Sequence, residues 1–232
     1  MGGAGMGDVV LLTGGTGFLG TEVAARLLER ADLEIVSIVL ADSDAEAVHA
    51  SNRAWWYEPD LRAELGARIH AIAGDVARPR LGLDPSTHAD LCERVTHVVH
   101  CAADLRVDAT VEELRATNVD GVANIIDFAR SAHGLDRLVH VSTAYVAGDT
   151  SDTVRAADLR VQGPFRNYYE QSKAQGESLV REAGKEIPIC IFRPSVVIGQ
   201  STTGRTSSFN VIYPTARLIV NGIVSVLPAI PS

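Results

Sequence analysis

A tyrosine and a lysine stand four residues apart in the stretch NYYEQSK, as Tyr169 and Lys173. If this stretch is helical, both side chains project from one face. A tyrosine in water has a pKa of about 10, and a neighbouring ammonium favours the phenolate. We therefore expect Tyr169 to act as a general acid towards a carbonyl oxygen, with Lys173 beside it. Tyr168 has no lysine at this spacing and is the weaker candidate.

Two hydroxyl groups precede this pair, in the run VSTAY. Ser142 and Thr143 end a predicted strand, and ligands of open α/β sheets bind at that end of the strands. Because side chains alternate along a strand, only one of the two can face the cleft. We expect Thr143 to stabilise the charge that develops on the substrate oxygen, with Ser142 as the alternative. Asn118 lies in a long helical pattern, and we expect it to bridge a backbone kink to a water beneath Lys173.

The glycine-rich run TGGTGFLG predicts a turn that binds the pyrophosphate of a dinucleotide. Gly14, Gly17 and Gly20 recur every three residues, between an apolar run and an amphipathic one. In a strand–turn–helix unit they allow, in order, the tight turn, close approach of the backbone to pyrophosphate, and packing of the helix against the strand. The helix N-terminus offers its N–H groups to the anion. The contacts expected from this run are Thr13, Gly14, Thr16, Gly17, Phe18, Leu19 and Gly20.

Further contacts with the dinucleotide are expected where later strands end. Small residues after the fourth predicted strand let the backbone approach the cofactor. The sixth strand ends Arg-Pro-Ser, where the backbone can meet the carboxamide or where the proline only stops the strand. Lys173 is also expected to hold the nicotinamide ribose. The contacts expected at strand ends are Cys101, Ala102, Ala103, Pro194 and Ser195, with Asp75 and Val76 after the third strand.

Two acids allow both a cofactor role and a local role. Asp75 can accept a hydrogen bond from the adenine amino group or serve only in a turn. Asp42 can accept the ribose 2′-hydroxyl or cap the helix that follows it. The position that usually selects the cofactor is Leu40, which binds neither a ribose hydroxyl nor a 2′-phosphate, although Arg53 can reach a phosphate from the next segment. The residues alone leave NAD and NADP both open.

Six short apolar runs alternate with longer helical patterns, the order of a doubly wound parallel α/β sheet of the Rossmann type. Nearly continuous apolar runs are typical of strands buried on both faces. The predicted strands are Val9–Thr13, Ile35–Leu40, Arg68–Ala73, His97–Cys101, Arg137–Ser142 and Ile187–Phe192. The predicted helices are Leu19–Ala31, a region around Asp42–Leu65, Thr87–Arg94, Val111–Ala132, Tyr168–Ala183 and a stretch near Phe209–Asn221. We expect a dinucleotide-binding domain over residues 1–204 and the start of a truncated substrate-binding portion over residues 205–232.

Composition argues against several classes of protein. The formal net charge is −8 and no run of Lys or Arg occurs, so a nucleic-acid partner is not expected. The chain has three cysteines, far apart in sequence, which are Cys92, Cys101 and Cys190. This odd number and wide spacing favour free thiols in a reducing compartment. The start MGGAGMGD lacks the features of a signal peptide. Prolines interrupt the apolar stretch Val211–Ile230, which makes a poor membrane span. We expect a cytoplasmic protein.

Two groups of side chains allow both a ligand role and a structural role. His97, His100 and His140 lie in apolar strands without a partner at metal-ligand spacing, so we expect core or edge histidines and no metal site. The run WWY, residues 55–57, can cover an adenosine or form a local apolar cluster, and we favour the cluster.

With TGGTGFLG, GDVARPRLGL, VSTAYV and YYEQSK in one order, the chain resembles the extended short-chain dehydrogenase/reductases. Within them it is most similar to the fatty acyl-CoA reductase and thioester reductase group, which includes the terminal reductase domains of carboxylic acid reductases and peptide synthetases. The resemblance covers Asp8 to Gly199. It implies a triad of Thr143, Tyr169 and Lys173, with Asn118 in support. It also implies NADPH as donor and a small-molecule or carrier-bound acyl thioester as substrate, reduced to an aldehyde or further to an alcohol.

The chain departs from this group at Leu40, where an arginine is usual. The resemblance makes the loop Asp149–Pro164 the substrate-proximal loop, but it assigns no role to the loop's charged residues, which are Asp149, Asp152, Arg155, Asp158 and Arg160. Two other functions stay open. One is an extended short-chain dehydrogenase, epimerase or dehydratase that acts with NAD(P) on a sugar nucleotide or a hydroxysteroid-like substrate. The other is a non-catalytic dinucleotide-binding module, against which the intact pair of Tyr169 and Lys173 argues.

Overall fold

The structure is a computed structural model that describes residues 7–159, 161–209 and 212–223. The predictions for the first six residues, for Arg160 and for the chain from residue 224 onwards lie outside the described residues. The chain divides into two compact units, Met1–Ser195 and Val196–Ser232. This division precedes the predicted boundary at residue 204, and the role predicted for the second domain stays a prediction.

Six parallel strands form one sheet in the order β3-β2-β1-β4-β5-β6. This order is that of the doubly wound Rossmann fold, so the predicted fold class is confirmed. The strands are β1 (Val9–Thr13), β2 (Glu34–Val39), β3 (Ile69–Ala73), β4 (His97–His100), β5 (Arg137–Val141) and β6 (Ile189–Phe192). In register, Thr13 pairs with His100 and His100 with His140, so β1, β4 and β5 end side by side.

Helices connect the strands, and two of the predicted helical regions are interrupted. The helices are α1 (Phe18–Leu27), α2 (Asp44–Ala54), α3 (Pro59–Ala63), α4 (Pro85–Arg94), α5 (Val111–Arg115), α6 (Gly121–Ser131), α7 (Tyr168–Ala183) and α8 (Ile212–Val220). Helix α2 ends at Ala54, and Glu58, just before α3, is not helical because the proline that follows disfavours that conformation. Between α5 and α6, Ala116–Asp120 forms a π-helical turn. Such turns occur frequently at functional sites.

The core lies on both faces of the sheet. Leu11 belongs to the cluster on one face, with Phe128 and Leu138, and its neighbour Leu12 belongs to the cluster on the other. This double burial explains the continuous apolar runs of the sequence. Trp55 is fully buried in the second cluster, as the predicted apolar cluster requires, whereas Trp56 is exposed.

The second unit contains α8 and the turns that precede it. The Gly199 N–H donates to the Tyr213 hydroxyl at 2.8 Å, and the rings of Phe209 and Tyr213 meet edge to face. Helix α8 lies inside the predicted stretch Phe209–Asn221. Within the described ranges, no helix combines the length and the apolar character needed to cross a bilayer.

Candidate active site

The glycine-rich turn between β1 and α1 is packed too closely for side chains. Gly14 has φ +71°, and a Cβ there would lie 2.6 Å from the backbone nitrogen of Ala102. A Cβ on Gly20 would overlap the carbonyl oxygen of Gly14. The turn is therefore held between α1 and the segment Cys101–Ala103 that follows β4. Glycine is needed at both positions, as their predicted roles require.

The N-terminus of α1 is suited to an anion. The first N–H groups of a helix have no intrahelical partner, here those of Phe18, Leu19 and Gly20. Gly17 is the N-cap, no side chain caps the helix, and its first turn carries no acid. Donors and a positive dipole end with no acidic side chain nearby fit the pyrophosphate of a nicotinamide dinucleotide. Thr16, also predicted as a contact, is half-buried in this turn.

Two other side chains secure the turn from outside. The buried hydroxyl of Thr13 hydrogen-bonds Nδ1 of His100 at 2.7 Å and accepts the Ala102 N–H at 3.3 Å, so it fastens β1 to β4. The indole N–H of Trp55 donates to the carbonyl oxygen of Gly15 at 2.9 Å. This contact of Trp55 with the turn was not predicted, since it spans 40 residues of sequence.

The structure after β2 excludes one of the two roles that the sequence left open for Asp42. Ser43 is the N-cap of α2, and its hydroxyl accepts the Glu46 N–H at 3.3 Å. The alternative that Asp42 caps this helix is therefore wrong. Asp42 is exposed beside Leu40, whose side chain is 80% exposed, and its bond to a ribose stays a prediction. Arg53 is exposed in α2.

After β3, Asp75 has the turn role that the sequence allowed. Its Oδ1 accepts the Ala77 N–H at 2.9 Å, and its Oδ2 lies 3.4 Å from Nε of Arg78. The adenine contact of Asp75 stays a prediction. The carbonyl oxygen of Val76 accepts a hydrogen bond from Nδ2 of Asn124 at 2.8 Å, which links this strand end to α6.

The two hydroxyls after β5 have different partners. The Thr143 hydroxyl accepts the Tyr145 N–H at 3.3 Å and lies beside Tyr169, whereas the Ser142 hydroxyl donates to Oε2 of Glu177 at 2.7 Å. Both residues are buried, and the different partners of their hydroxyls fit the alternation of side chains expected at a strand end. The Ala144 N–H donates to the carbonyl oxygen of Pro194 at 2.9 Å, which ties the end of β6 to the turn that carries Thr143. Ser195, the next residue, is exposed.

Burial controls the protonation of Tyr169. It raises the pKa of the phenol, the hydrogen bond with Thr143 lowers it by less, and Tyr145 and Glu170 raise it further. Desolvation dominates in the described structure, and the expected lowering of this pKa by Lys173 stays a prediction. A raised pKa keeps the proton on Tyr169 at neutral pH, and this is the form that a general acid needs.

Lys173 is directed towards the sheet. Its Nζ donates to the carbonyl oxygen of Val141 at 2.9 Å, and only 3% of the residue is exposed. Burial lowers the pKa of Lys173 to about 8, although Cys101 and Glu177 favour the charged form. Burial also raises the pKa of the Cys101 thiol to about 11, so this thiol stays protonated and is a poor nucleophile.

Asn118 lies in the π-helical turn, and both the oxygen and the nitrogen of its side-chain amide form hydrogen bonds. Its Oδ1 accepts the Asp104 N–H at 2.9 Å, and its Nδ2 donates to the Asp104 carbonyl at 2.9 Å and to the Ser172 hydroxyl at 3.0 Å. Asn118 therefore joins the loop after β4 to α7, next to Lys173. The water that we expect it to bind stays a prediction.

The histidines of the sheet are placed as core and edge residues. His100 and His140 are 1% exposed, stack with their ring centroids 5.4 Å apart, and have pKa values lowered by burial, so both are neutral. His97 lies at the opposite end of β4, where it converges with Asp8 and Asp136. Asp8 is already paired there with Arg30 at 2.8 Å.

Comparisons with known proteins show the family to which the chain belongs. A model of the family described as male sterility protein, an NAD-binding domain, matches residues 12–231. The isonitrile lipopeptide synthase of Streptomyces coeruleorubidus is 32% identical over 220 residues, which cover 92% of this chain and 15% of the synthase. The carboxylic acid reductase of Mycobacterium marinum is 32% identical over 212 residues, or 83% of this chain and 18% of that protein.

A solved structure of a reductase domain is also similar to this chain. The terminal R domain of the myxalamid PKS-NRPS biosynthetic pathway superposes with a TM-score of 0.87 at 29% identity, and the match covers 99% of this chain and 58% of that one. The chain thus spans under a fifth of the two curated relatives and somewhat more than half of the R domain. The chain belongs to the male sterility protein family of NAD(P)-dependent oxidoreductase domains, with the extended short-chain dehydrogenase/reductase fold, and is homologous to reductase domains of peptide synthetases, fatty acyl-CoA reductases and carboxylic acid reductases.

Proposed function

We propose that this chain is the dinucleotide-binding and proton-donating part of a reductase that uses NADPH to convert an acyl thioester into an aldehyde. One observation carries the proposal. Thr143 and the protonated Tyr169 lie beside each other at the carboxyl end of the sheet, with the buried Lys173 one helical turn beyond. This edge also carries the uncapped glycine-rich turn that fits a pyrophosphate.

The proposed roles follow from these positions. NADPH, when bound at the glycine-rich turn, would supply the hydride for the thioester carbonyl carbon. Tyr169 gives its proton to the carbonyl oxygen, and Thr143 hydrogen-bonds the same oxygen. The C–S bond then breaks, so thioester, NADPH and a proton give aldehyde, thiol and NADP⁺. Lys173 holds the nicotinamide ribose, and Asn118 keeps the neighbouring loop and α7 in position.

The proposed form of the substrate is an acyl group on CoA or on a carrier. The descriptions of the relatives support it, since they name a lipopeptide synthase and the terminal R domain of a PKS-NRPS pathway. We further propose a cytoplasmic location. All three cysteines are free, as they are in a reducing compartment.

A substrate panel tests this function in the full-length protein. We expect oxidation of NADPH with acyl-CoA substrates and with long-chain aldehydes. A protein that binds both nicotinamide cofactors and oxidises neither with any thioester would contradict the proposal. Oxidation of an alcohol, or epimerisation of a sugar nucleotide without net consumption of cofactor, would instead support the other extended short-chain activities.

The choice of NADPH rests on the family resemblance and can be tested at Leu40. This side chain is 80% exposed, so a substitution costs little packing. We expect Leu40→Arg to raise the preference for NADPH over NADH about tenfold, or about 1.4 kcal/mol, because a guanidinium pairs with the 2′-phosphate. Dissociation constants for both cofactors measure the preference, with Leu40→Gln as the uncharged control. Equal changes for both cofactors would show that this position does not contact the phosphate.

The pKa of Lys173 predicts an alkaline limit to activity. With a pKa of about 8, Lys173 is a cation below this pH and neutral above it. Because the cation binds ribose hydroxyls more strongly, kcat/KM should fall as the pH rises through about 8. Since kcat/KM reports the free enzyme, rates between about pH 6 and about pH 11 locate this limb, and circular dichroism checks the fold over the same range. A limb at the usual lysine pKa of about 10.4 would contradict this assignment.

A further inference from the structure

The buried carboxylate of Glu177 binds donors from several of the elements that surround the proposed site. Glu177 lies on α7, one turn after Lys173, and its side chain is fully buried. Oε1 accepts hydrogen bonds from Nε of Arg181 at 2.8 Å and from Nη2 of Arg193 at 2.6 Å. Oε2 accepts them from Nε of Arg193 at 2.9 Å and from the Ser142 hydroxyl at 2.7 Å. Four donors from α7, from the end of β5 and from the end of β6 therefore share one carboxylate.

This carboxylate is charged. Burial alone raises the pKa of Glu177, but hydrogen bonds from Arg193, Ser142 and Arg181 outweigh it and lower the pKa below its usual value. A buried ion pair of this kind resists rearrangement, because removing one partner leaves an uncompensated charge. The cluster is thus a rigid point in the fold.

Both arginines use their remaining donors on one loop. Arg181 donates from Nη1 to the carbonyl of Ala157 and from Nη2 to that of Ala156, each at 2.9 Å. Arg193 donates from Nη2 to the carbonyl of Asp158 at 2.7 Å. All three acceptors are main-chain oxygens, so this attachment does not depend on the side chains of the loop.

The attached segment belongs to the loop Asp149–Pro164, described except for Arg160. The ends of this loop are closed on each other, since the Asp149 N–H donates to the carbonyl of Pro164 at 2.8 Å. A Cβ on Gly148 would overlap that same carbonyl oxygen. The loop leaves the turn that carries Thr143 and enters the helix that carries Tyr169, so its neck is close in sequence to both proposed catalytic residues.

We propose that Glu177, Arg181 and Arg193 form a clamp that positions this loop as a wall of the acyl-binding site. The inference rests on the proposed function for the identity of the substrate. The three clamp residues are positioning residues: they fix the loop backbone relative to Thr143 and Tyr169.

Arg181→Met in the full-length protein tests the clamp. The variant removes two bonds to the loop but leaves Glu177 with Arg193 and Ser142, and the Arg181 side chain is 30% exposed, so little packing is lost. We expect KM for the acyl thioester to rise about tenfold, with kcat and the Kd for NADPH within about twofold of wild type. Hydrogen exchange of the amides in residues 150–159 should become faster. Arg130→Met is the matched control, because Arg130 lies on α6 and pairs with Glu186 at 2.9 Å, away from the loop, so its loss should change none of these quantities.

The two readouts separate the clamp from the proposed function. Exchange is measured without substrate, so it reports on the loop even if no thioester is reduced. Unchanged exchange and unchanged KM would overturn the clamp, and so would an equal loss of cofactor affinity. If Arg181→Met does not fold, Arg181→Lys keeps a charge beside Glu177 but loses the fork that reaches both carbonyls. It should show the same faster exchange.

Discussion

Replacing Tyr169 with phenylalanine should lower kcat for thioester reduction by about a hundredfold to ten-thousandfold, the usual contribution of a general acid. The substitution removes only the phenolic hydroxyl, which lies beside Thr143 and carries the proton proposed for the carbonyl oxygen. The glycine-rich turn is not altered, so the Kd for NADPH should stay within about twofold of wild type. Steady-state rates and a binding titration on the same preparation measure both quantities.

Tyr168→Phe is the matched control for this result. Tyr168 is the adjacent residue on α7 and is 52% exposed, so loss of its hydroxyl should leave kcat nearly unchanged. A large loss for Tyr168→Phe with a small loss for Tyr169→Phe would reverse the two roles. Equal losses of kcat and cofactor affinity in Tyr169→Phe would show a general disturbance of the site and count against an acid.

Gly20→Ala should weaken binding of the dinucleotide about tenfold to a hundredfold. The added Cβ would overlap the carbonyl oxygen of Gly14, and neither backbone can yield without moving the start of α1. Overpacking of this kind costs about 1–3 kcal/mol, and each 1.4 kcal/mol that falls on the bound state is a factor of ten in Kd. Calorimetric titration with NADPH and NADH measures the loss. Both cofactors should be affected alike, because both share the pyrophosphate.

Gly134→Ala provides the comparison for the glycine-rich turn. A Cβ on Gly134 would meet nothing within 4 Å, so the same chemical change should leave both stability and affinity unaltered. If Gly20→Ala binds cofactor as tightly as Gly134→Ala does, the turn is not the pyrophosphate site. Thermal unfolding would show whether Gly20→Ala fails to fold while Gly134→Ala folds. In that case Gly17→Ala replaces Gly20→Ala in the binding test. A Cβ there would lie 3.2 Å from the Gly14 carbonyl oxygen, a contact that a small shift can relieve.

Local patterns in the sequence were sufficient to predict the fold class. Continuous apolar runs marked all six strands, since a parallel sheet buries both faces. The glycine spacing identified the turn before α1, because close backbone packing is a local requirement there. Interruptions in the helices were missed where the pattern continues through them, as at the π-helical turn Ala116–Asp120.

The parts of the site that depend on tertiary contacts could not be read from the sequence. The contact between Trp55 and Gly15 joins distant segments, and the partners of Glu177 come from three elements. The raised pKa of Tyr169 was not predicted, because spacing along a helix indicates which charges are near but not how deeply a group is buried. Asp42 was a credible cap, but Ser43, one residue later, has the geometry of the cap.

The central claim is hydride transfer to the carbonyl carbon of an acyl thioester, and the fate of isotope in the product tests it most directly. The full-length protein is incubated with an acyl-CoA and with NADPH that carries deuterium at both C4 positions. We expect an aldehyde, or the alcohol derived from it, with deuterium on the carbon that had carried sulfur, and release of free CoA thiol only when NADPH is present. A carboxylic acid product, thiol release without NADPH, or a reduced product without deuterium would contradict the claim.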